Sequence, residues 1–187
     1  MQLAEILQQD IDTPSDINQH LPTLRQLAQE CSHITEFGCW RGYSSTALLC
    51  GLHESEVDTP FKKLTIVDIN EPYLEHVKEK LTPYQNNIEI VYRLDDTTAI
   101  EIEETDFLFI DTWHVYKQLK KELELHGNKA TRYLAFHDTV SFGLLGEDGE
   151  TPGLLDAIEE FLEANPHWQQ MVHYEFNNGL MVLERVE

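Results

Sequence analysis

From residue 33 onward the chain alternates short apolar runs with stretches of helical period, and that alternation leaves few folds open. Ile34–Phe37, Leu64–Ile69, Ile88–Tyr92, Phe107–Ile110 and Tyr133–Phe136 read as strands. Ser44–Leu52 and Pro72–Leu81 read as helices, as do the stretches carrying Val115, Leu119 and Leu123 and then Leu154, Ile158, Phe161 and Leu162 on single faces. Parallel strands need crossover connections that cover both faces of their sheet, so their sequences run continuously apolar, as Phe107–Ile110 does. The ending differs. Met171–Phe176 and Leu180–Val186 flank Asn177-Asn178-Gly179, and an Asn-Gly step is a strong hairpin signal. The expected fold is an α/β three-layer sandwich on a mostly parallel seven-stranded sheet, closed by a C-terminal antiparallel hairpin.

Ahead of this pattern, Leu3, Ile6, Leu7 and Ile11 share one helical face and Leu21, Leu24, Leu27 and Ala28 another, with Pro14 and Pro22 interrupting. We therefore expect a helical extension over residues 1–32 and the main unit over 33–187, together one domain. The length of 187 residues suits one core. No internal repeat or evident linker divides it.

Charge narrows the partners. Thirteen Lys+Arg against 34 Asp+Glu give a formal net charge of -21, a surface that repels polyphosphate backbones and anionic lipid. Neither nucleic acid nor a membrane is expected as partner. The first ten residues lack a basic start followed by an apolar run, so no signal peptide is read, and no stretch reaches the roughly 18–20 apolar residues of a spanning helix. Cys31, Cys39 and Cys50 are odd in number and lack metal-like spacing, which suits reduced structural thiols in a cytoplasmic protein.

In open parallel sheets ligands bind beyond the carboxyl ends of the strands, so the residues after each strand are the informative ones. The first such segment is Glu36-Phe37-Gly38-Cys39-Trp40-Arg41-Gly42-Tyr43-Ser44. Gly38 and Gly42 would let backbone approach a ligand closely, Ser44 suits a helix N-cap, and Glu36 suits a cationic ligand. The spacing is not the dinucleotide G-x-G-x-x-G. The second is Asp68, an acid at a strand end that can accept both ribose hydroxyls of a nucleoside. It lies late in the chain because an acidic loop, Glu54–Pro60, intervenes. The third is Asp95-Asp96-Thr97, where Asp96 before a hydroxyl residue could hold a base amino group.

The fourth ending is the most specific. Four apolar residues run into Asp111, followed by Thr112-Trp113-His114, and the next strand ends in His137-Asp138. A carboxylate at the lip of a buried strand is costly unless paired or used. His114 could serve as a base near neutral pH. Asp111, His137 and Asp138 could converge on a divalent metal with hard oxygen ligands and one imidazole. The bland alternative is that His114 caps its helix and His137 packs beneath the sheet rim. Residues 139–152, with Gly143, Gly146 and Gly149, are long for such a connection and read as a mobile loop or lid. Lys120-Lys121 reads as a solvated face.

Three segments, Glu36–Ser44, Phe109–Tyr116 and Phe136–Asp138, resemble class I S-adenosylmethionine-dependent methyltransferases of Rossmann-like fold, particularly the small family-24 O-methyltransferases. Macrocin-type O-methyltransferases and cephalosporin-hydroxylase-like proteins are similar. The likeness spans about residues 33–186. It implies that Glu36, Gly38, Trp40, Gly42 and Ser44 wrap the methionine part of S-adenosylmethionine (SAM), that Asp68 holds the ribose, and that Asp96 and Asp111 complete the cofactor site. It further implies a divalent ion such as Mg2+ at Asp111 and Asp138, His114 and Asp111 as catalytic groups, and a small-molecule acceptor. A homodimer is left open. Thr112 and Trp113 stand where that family usually has Gly and Asp, and Trp113 could wall an acceptor ring. Two other readings stand beside it: a SAM-binding protein without methyl transfer, acting as sensor or accessory subunit, and an unrelated nucleotide-binding α/β enzyme such as a short dehydrogenase.

Overall fold

The computed structural model describes residues 2–186, so the outer limits of the two expected segments, Met1 and Glu187, lie outside the described residues. The chain begins with α1 (Leu3–Asp12) and α2 (Leu21–Ala28), joined through a short 3-10 turn at Asn18–His20. Pro22 sits in the first turn of α2, where its missing N–H would have no intrahelical partner anyway. Then follow β1 (His33–Phe37), α3 (Tyr43–Glu54), β2 (Lys62–Asp68), α4 (Glu71–Leu81), β3 (Ile88–Leu94) and β4 (Thr105–Ile110). The chain closes with α5 (Tyr116–His126), β5 (Ala130–His137), α6 (Leu154–Ala164), β6 (Trp168–Tyr174) and β7 (Leu180–Arg185).

The seven strands lie in the order β3-β2-β1-β4-β5-β7-β6. β1 to β5 run parallel, and β7 is antiparallel to both its neighbours. From β1 the chain builds outward to β2 and β3, then crosses back to β4 on the other side. The connections leaving β1 and β4 therefore run to opposite sides, and the crevice of the fold opens beyond the carboxyl ends of the two strands.

Strand alternation divides the core in two. On β4, Phe107 and Phe109 join the cluster of Ile34, Leu48 and Leu49 under the early helices. Leu108 and Ile110 point the other way, toward Leu119, Leu123, Ile158 and Phe161. Leu7, Leu21 and Leu24 of the extension belong to the first cluster, so the first thirty residues share the main core. Among the described residues, no helix separates β3 from β4. The uncovered sheet face there forms a groove of about 430 Å³ floored by His33, Thr35, Lys63 and Thr65.

The hairpin turn is as the Asn-Gly signal demands: Asn177, Asn178 and Gly179 all take positive φ, at 47°, 69° and 96°. That turn receives the N-terminal segment. His20 Nε2 donates to the Phe176 and Asn177 carbonyls (3.1 and 3.0 Å), and Gln19 N–H donates to Asn177 Oδ1 (2.8 Å). No helix among the described residues is long and apolar enough to cross a membrane.

Candidate active site

The crevice beyond the strand ends encloses about 610 Å³, within the usual range of small-molecule sites. It runs from the loops after β2 and β3, past β1, to the ends of β4 and β5.

At its centre, β1 touches β4. Asp111 N–H donates to the Phe37 carbonyl (2.8 Å), and Gly38, at φ +81°, lies so near that a Cβ there would overlap the Asp111 carbonyl. Gly42, at φ +71°, ends the turn and N-caps α3, where a Cβ would meet Val77 of α4 at 2.9 Å. Both glycines are thus demanded by protein against protein. Gly38 lines the crevice and Gly42 does not, which corrects the expectation that each admits a ligand.

Glu36 requires a second correction. Its side chain is fully buried and absent from the crevice lining. It accepts hydrogen bonds from Ser44 Oγ and Ser45 Oγ, both at 2.5 Å. Burial pushes its carboxyl up to about 8, against the opposing pull of the two serines. With both oxygens taken by hydroxyls of α3, the Glu36 carboxyl anchors that helix to β1 and is turned away from any ligand in the crevice. Ser44 does line the crevice, with its hydroxyl turned to Glu36, and Gly42 holds the N-cap position expected for Ser44. Trp40, at φ 35°, stands at the mouth with the Arg41 guanidinium 4.5 Å from its ring centroid.

Asp68 lies where the sequence suggested, buried at the crevice wall. Its Oδ2 accepts from Cys39 N–H (2.9 Å) and Cys39 Sγ (3.3 Å), and its Oδ1 from Asn70 N–H (2.7 Å). Asp96 also reaches the crevice wall, with Oδ1 turned back to Thr98 N–H (2.8 Å) and Oγ1 (2.7 Å). Those two bonds hold its carboxyl below the usual range.

Sequence reasoning missed the buried Glu122 beneath this floor. It accepts from Thr97 Oγ1 (2.5 Å), Thr112 Oγ1 (2.9 Å) and Gln118 Nε2 (2.8 Å), three residues that line the crevice. Burial raises its carboxyl to about 6 against those three donors. Its signal was an acid on the apolar face of α5, spaced with Leu119 and Leu123.

The β4–β5 end is a compact ion cluster. His114 Nε2 lies 3.1 Å from both Asp111 Oδ1 and Asp138 Oδ2, while its Nδ1 lies 3.1 Å from Glu147 Oε2. The His114 ring stacks on Phe142, with centroids 5.1 Å apart. His137 Nδ1 is 3.4 Å from the same two carboxylate oxygens, and its Nε2 donates to the Asp16 carbonyl (3.1 Å). With a carbonyl on one nitrogen and carboxylates on the other, His137 must carry both protons. Burial alone would lower its pKa, but Asp111 and Asp138 overturn that and lift it to about 11. His114 is likewise raised, because its Asp111 and Asp138 partners outweigh burial. Asp111, which burial would raise, is held well below the carboxylate range by His137 and His114.

Asp111, His114 and Asp138 each offer one ligand atom, all within 4.8 Å of one another. Asp138 sits at φ 59°, and its Oδ1 is buried with no hydrogen-bond partner among the described residues. Two hard oxygens, one imidazole and an unsatisfied buried carboxylate oxygen fit a divalent cation. The donor trio differs from the expected Asp111, His137 and Asp138: His114 enters it, and His137 instead lies behind, bracing the two carboxylates and outside the crevice lining.

Residues 139–152 differ from the expected lid. They are stitched by Gly146 N–H to the Thr151 carbonyl (2.8 Å), Glu147 N–H to the His114 carbonyl (3.0 Å) and Leu154 N–H to the Phe142 carbonyl (2.9 Å). Glu147 and Phe142 reach His114 from this segment, so it forms a wall of the site. Asp16, a further residue missed from sequence, lines the same end from the N-terminal extension. Burial, Asp111 and Asp138 raise its carboxyl, and His137 opposes them.

The family model described as a methyltransferase domain matches residues 35–139, from β1 to the end of β5. A comparison with curated proteins finds no match. Among solved structures, the chain is similar to an O-methyltransferase from Bacillus cereus in complex with S-adenosylhomocysteine (SAH), at 17% identity and TM-score 0.67, covering 98% of this chain and 90% of that one. It is similar to the SAH-bound methyltransferase PaMTH1 of Podospora anserina, at 16% identity and TM-score 0.63, covering 99% and 88%. A third is the O-methyltransferase TomG of Streptomyces achromogenes in complex with SAM, at 14% identity and TM-score 0.62, covering 94% and 82%. At these identities the likeness establishes the shared fold.

Proposed function

The chain belongs to the methyltransferase-domain family matched over residues 35–139, and from that premise we propose that it transfers the methyl group of SAM to an oxygen of a small-molecule acceptor. The observation that carries this reading is the polarity of the crevice. One end offers Asp68 and the Thr97 floor, and the other offers Asp111, His114 and Asp138. Solved relatives in fold hold SAM or SAH, and a nucleoside with a cationic sulfonium suits a crevice with a ribose-accepting acid and an acidic far end. Family membership sets aside the dehydrogenase reading.

In this account Asp68 accepts the ribose hydroxyls, and the segment from Gly38 to Arg41, with Ser44, lies along the methionine part. Asp96 and Thr97 border the adenine. Methyl transfer is an in-line displacement, so most of the acceleration comes from holding donor and acceptor oxygen in line. His114 takes the acceptor's proton at Nε2, Glu147 orients the ring from the opposite nitrogen through the 3.1 Å contact at Nδ1, and Asp111 stabilises the imidazolium that forms. Because the ring's pKa is raised, it is a stronger base once deprotonated and needs a higher pH to become so. His137 holds Asp111 and Asp138 in place from behind. In the alternative arrangement Asp111, Asp138 and His114 Nε2 would hold Mg2+, which would supply Lewis-acid stabilisation of an acceptor oxyanion, and His114 would then serve as ligand in place of base.

The test is transfer of isotope-labelled methyl from SAM to a panel of phenols, catechols, sugars and amino alcohols, with Mg2+ and with EDTA. We expect methylated product from at least one acceptor class and its loss in His114→Ala and Asp138→Ala. Undiminished transfer in both variants would overturn the assignment of this end of the crevice, and an effect of EDTA would separate the metal from the base.

A further inference from the structure

The sheet has two edges, and they are finished differently. β6, at one end of the strand order, carries a register shift between Gln170 and Val172, and a bulge turns an edge away from further pairing. β3, at the other end, pairs with β2 in unbroken register from Ile88 to Leu94. Its sequence, Ile-Glu-Ile-Val-Tyr-Arg-Leu, is rich in β-branched and aromatic residues and holds no Pro, Gly or Lys. Shortness, proline and a bulge commonly blunt an edge, and β3 has none of them. Its two charged residues, Glu89 and Arg93, are opposite in sign.

The register fixes which backbone groups are free. Asp95 N–H donates to the Asp68 carbonyl (3.2 Å), so Glu89, Val91 and Arg93 turn their backbone groups toward β2, while Ile90 and Tyr92 turn theirs outward. Among the described residues, Ile90 and Tyr92 have no backbone partner on that outer side. Side chains alternate in the same rhythm. Ile90 and Tyr92 pack partly buried against the core with Leu74 and Val77 of α4. Val91 and Arg93 line the groove on the opposite face, with exposed Glu89 on the same side. Arg93 meets Asp95 (3.0 Å) and donates from Nη1 to the Glu101 carbonyl (3.1 Å), which leaves guanidinium hydrogens to spare. Lys63, opposite Glu89 on β2, turns instead to Glu103 (2.7 Å), and Glu89 has no ion-pair partner among the described residues.

An antiparallel neighbour must set outward residues against outward residues. Among registers of that kind between two copies of β3, the one centred on Val91 sets Ile90 opposite the partner's Tyr92 and Glu89 opposite the partner's Arg93, each pair repeated by symmetry. Centred on Glu89 or on Arg93, like charges would face each other, which is unfavourable. The strand is complementary to its own copy.

We propose that β3 is a self-association surface: two copies of this chain join their sheets edge to edge, β3 antiparallel to the partner's β3 about a two-fold axis at Val91. Ile90 and the partner's Tyr92 exchange backbone hydrogen bonds, and Glu89 meets the partner's Arg93 at the closely spaced positions between those bonds. Antiparallel pairing sends the carboxyl ends of the two sheets in opposite directions, so the two crevices lie apart. A net charge of -21 on each copy opposes association in general, and the balanced charges of β3 make this edge the place where it is tolerated.

The experiment is sedimentation equilibrium on the full-length protein, with circular dichroism to confirm folding. Wild type should be a dimer. Glu89→Lys and Arg93→Glu each set like charges across the axis and should each weaken association about tenfold or more. Mixed in equal amounts, the two variants should associate about as tightly as wild type, because the introduced lysine of one chain then faces the introduced glutamate of the other. A merely local defect would not be repaired by mixing. Should Arg93→Glu fail to fold, Val91→Lys, which sets two ammonium groups together at the axis, should separate the dimer in its place. Wild type that stays monomeric at about 100 μM would overturn the proposal. So would dimers that survive Glu89→Lys and Val91→Lys, or a mixture of folded variants that associates no more tightly than either alone.

Discussion

At the β1–β3 end of the crevice Asp68 is held by backbone N–H groups of Cys39 and Asn70, while at the β4–β5 end Asp111 and Asp138 are held by the rings of His114 and His137. Both ends bury carboxylates, by different means. A backbone donor does not swing away, so the Asp68 carboxylate is held in one geometry. His137, lifted to about 11, keeps its proton, whereas His114 Nε2 can exchange its proton for a cation shared with Asp111 and Asp138, so the far end changes its charge with ions. The comparison teaches that one crevice separates a fixed binding end from a reactive end. Gly38 is the joint between them.

Breaking the joint should have the largest effect. Gly38→Ala combines a positive φ with overlap against the Asp111 carbonyl, and strain plus overpacking should destabilise the fold by about 3 kcal/mol or more. Urea titration reads this directly, and a variant as stable as wild type would show that β1 and β4 are not locked together there.

Next comes the reactive end taken alone. His114→Ala should lower methyl transfer about a hundredfold or more and leave SAH affinity nearly unchanged. In the wild type the rate should climb with pH through a pKa above 6.5, because a base must be deprotonated to act and this one is raised. An ascending limb below pH 6.5 would assign the proton to another group.

Asp68→Ala addresses the fixed end. Loss of a charged acceptor for two hydroxyls should weaken SAH binding at least about tenfold, with the pH profile of transfer unmoved. A shifted profile would show that the two ends are coupled.

Glu36 offers a test of slope and not of size. Its folded pKa of about 8 lies above the unfolded 4.5, so the folded state binds the extra proton between those values. Its stabilising contribution is full below pH 4.5 and declines as pH rises toward 8, by at most about 1.4 kcal/mol per pH unit. Glu36→Gln, which keeps the neutral hydrogen-bonding shape, should flatten that decline in denaturation midpoints measured from pH 5 to 8.5. An unchanged slope would mean that Glu36 is ionised in the fold.

The fold was legible because strand and helix periods are local properties: each of the seven strands contains the core of the apolar run that marked it. Asp68, Asp111, His114 and Asp138 were legible because the residues after parallel strands converge wherever the sheet opens. Orientation was harder to read. Glu36 lies two residues after Ile34 and so shares its face, under α3; following that alternation would have placed it against Ser44 and Ser45. The roles of His137 and Asp16 were beyond reach, since their contact spans 121 positions in sequence. The N-terminal segment meets the hairpin across still longer separations, and no local spacing encodes such a meeting.

The most direct test of the central claim, a donor end that stands apart from the reactive end, is calorimetric titration of SAH into wild-type protein and His114→Ala, both in EDTA. The account predicts one site per chain and matching affinities in the two proteins. Absence of binding to wild type, or its loss in His114→Ala, would contradict it.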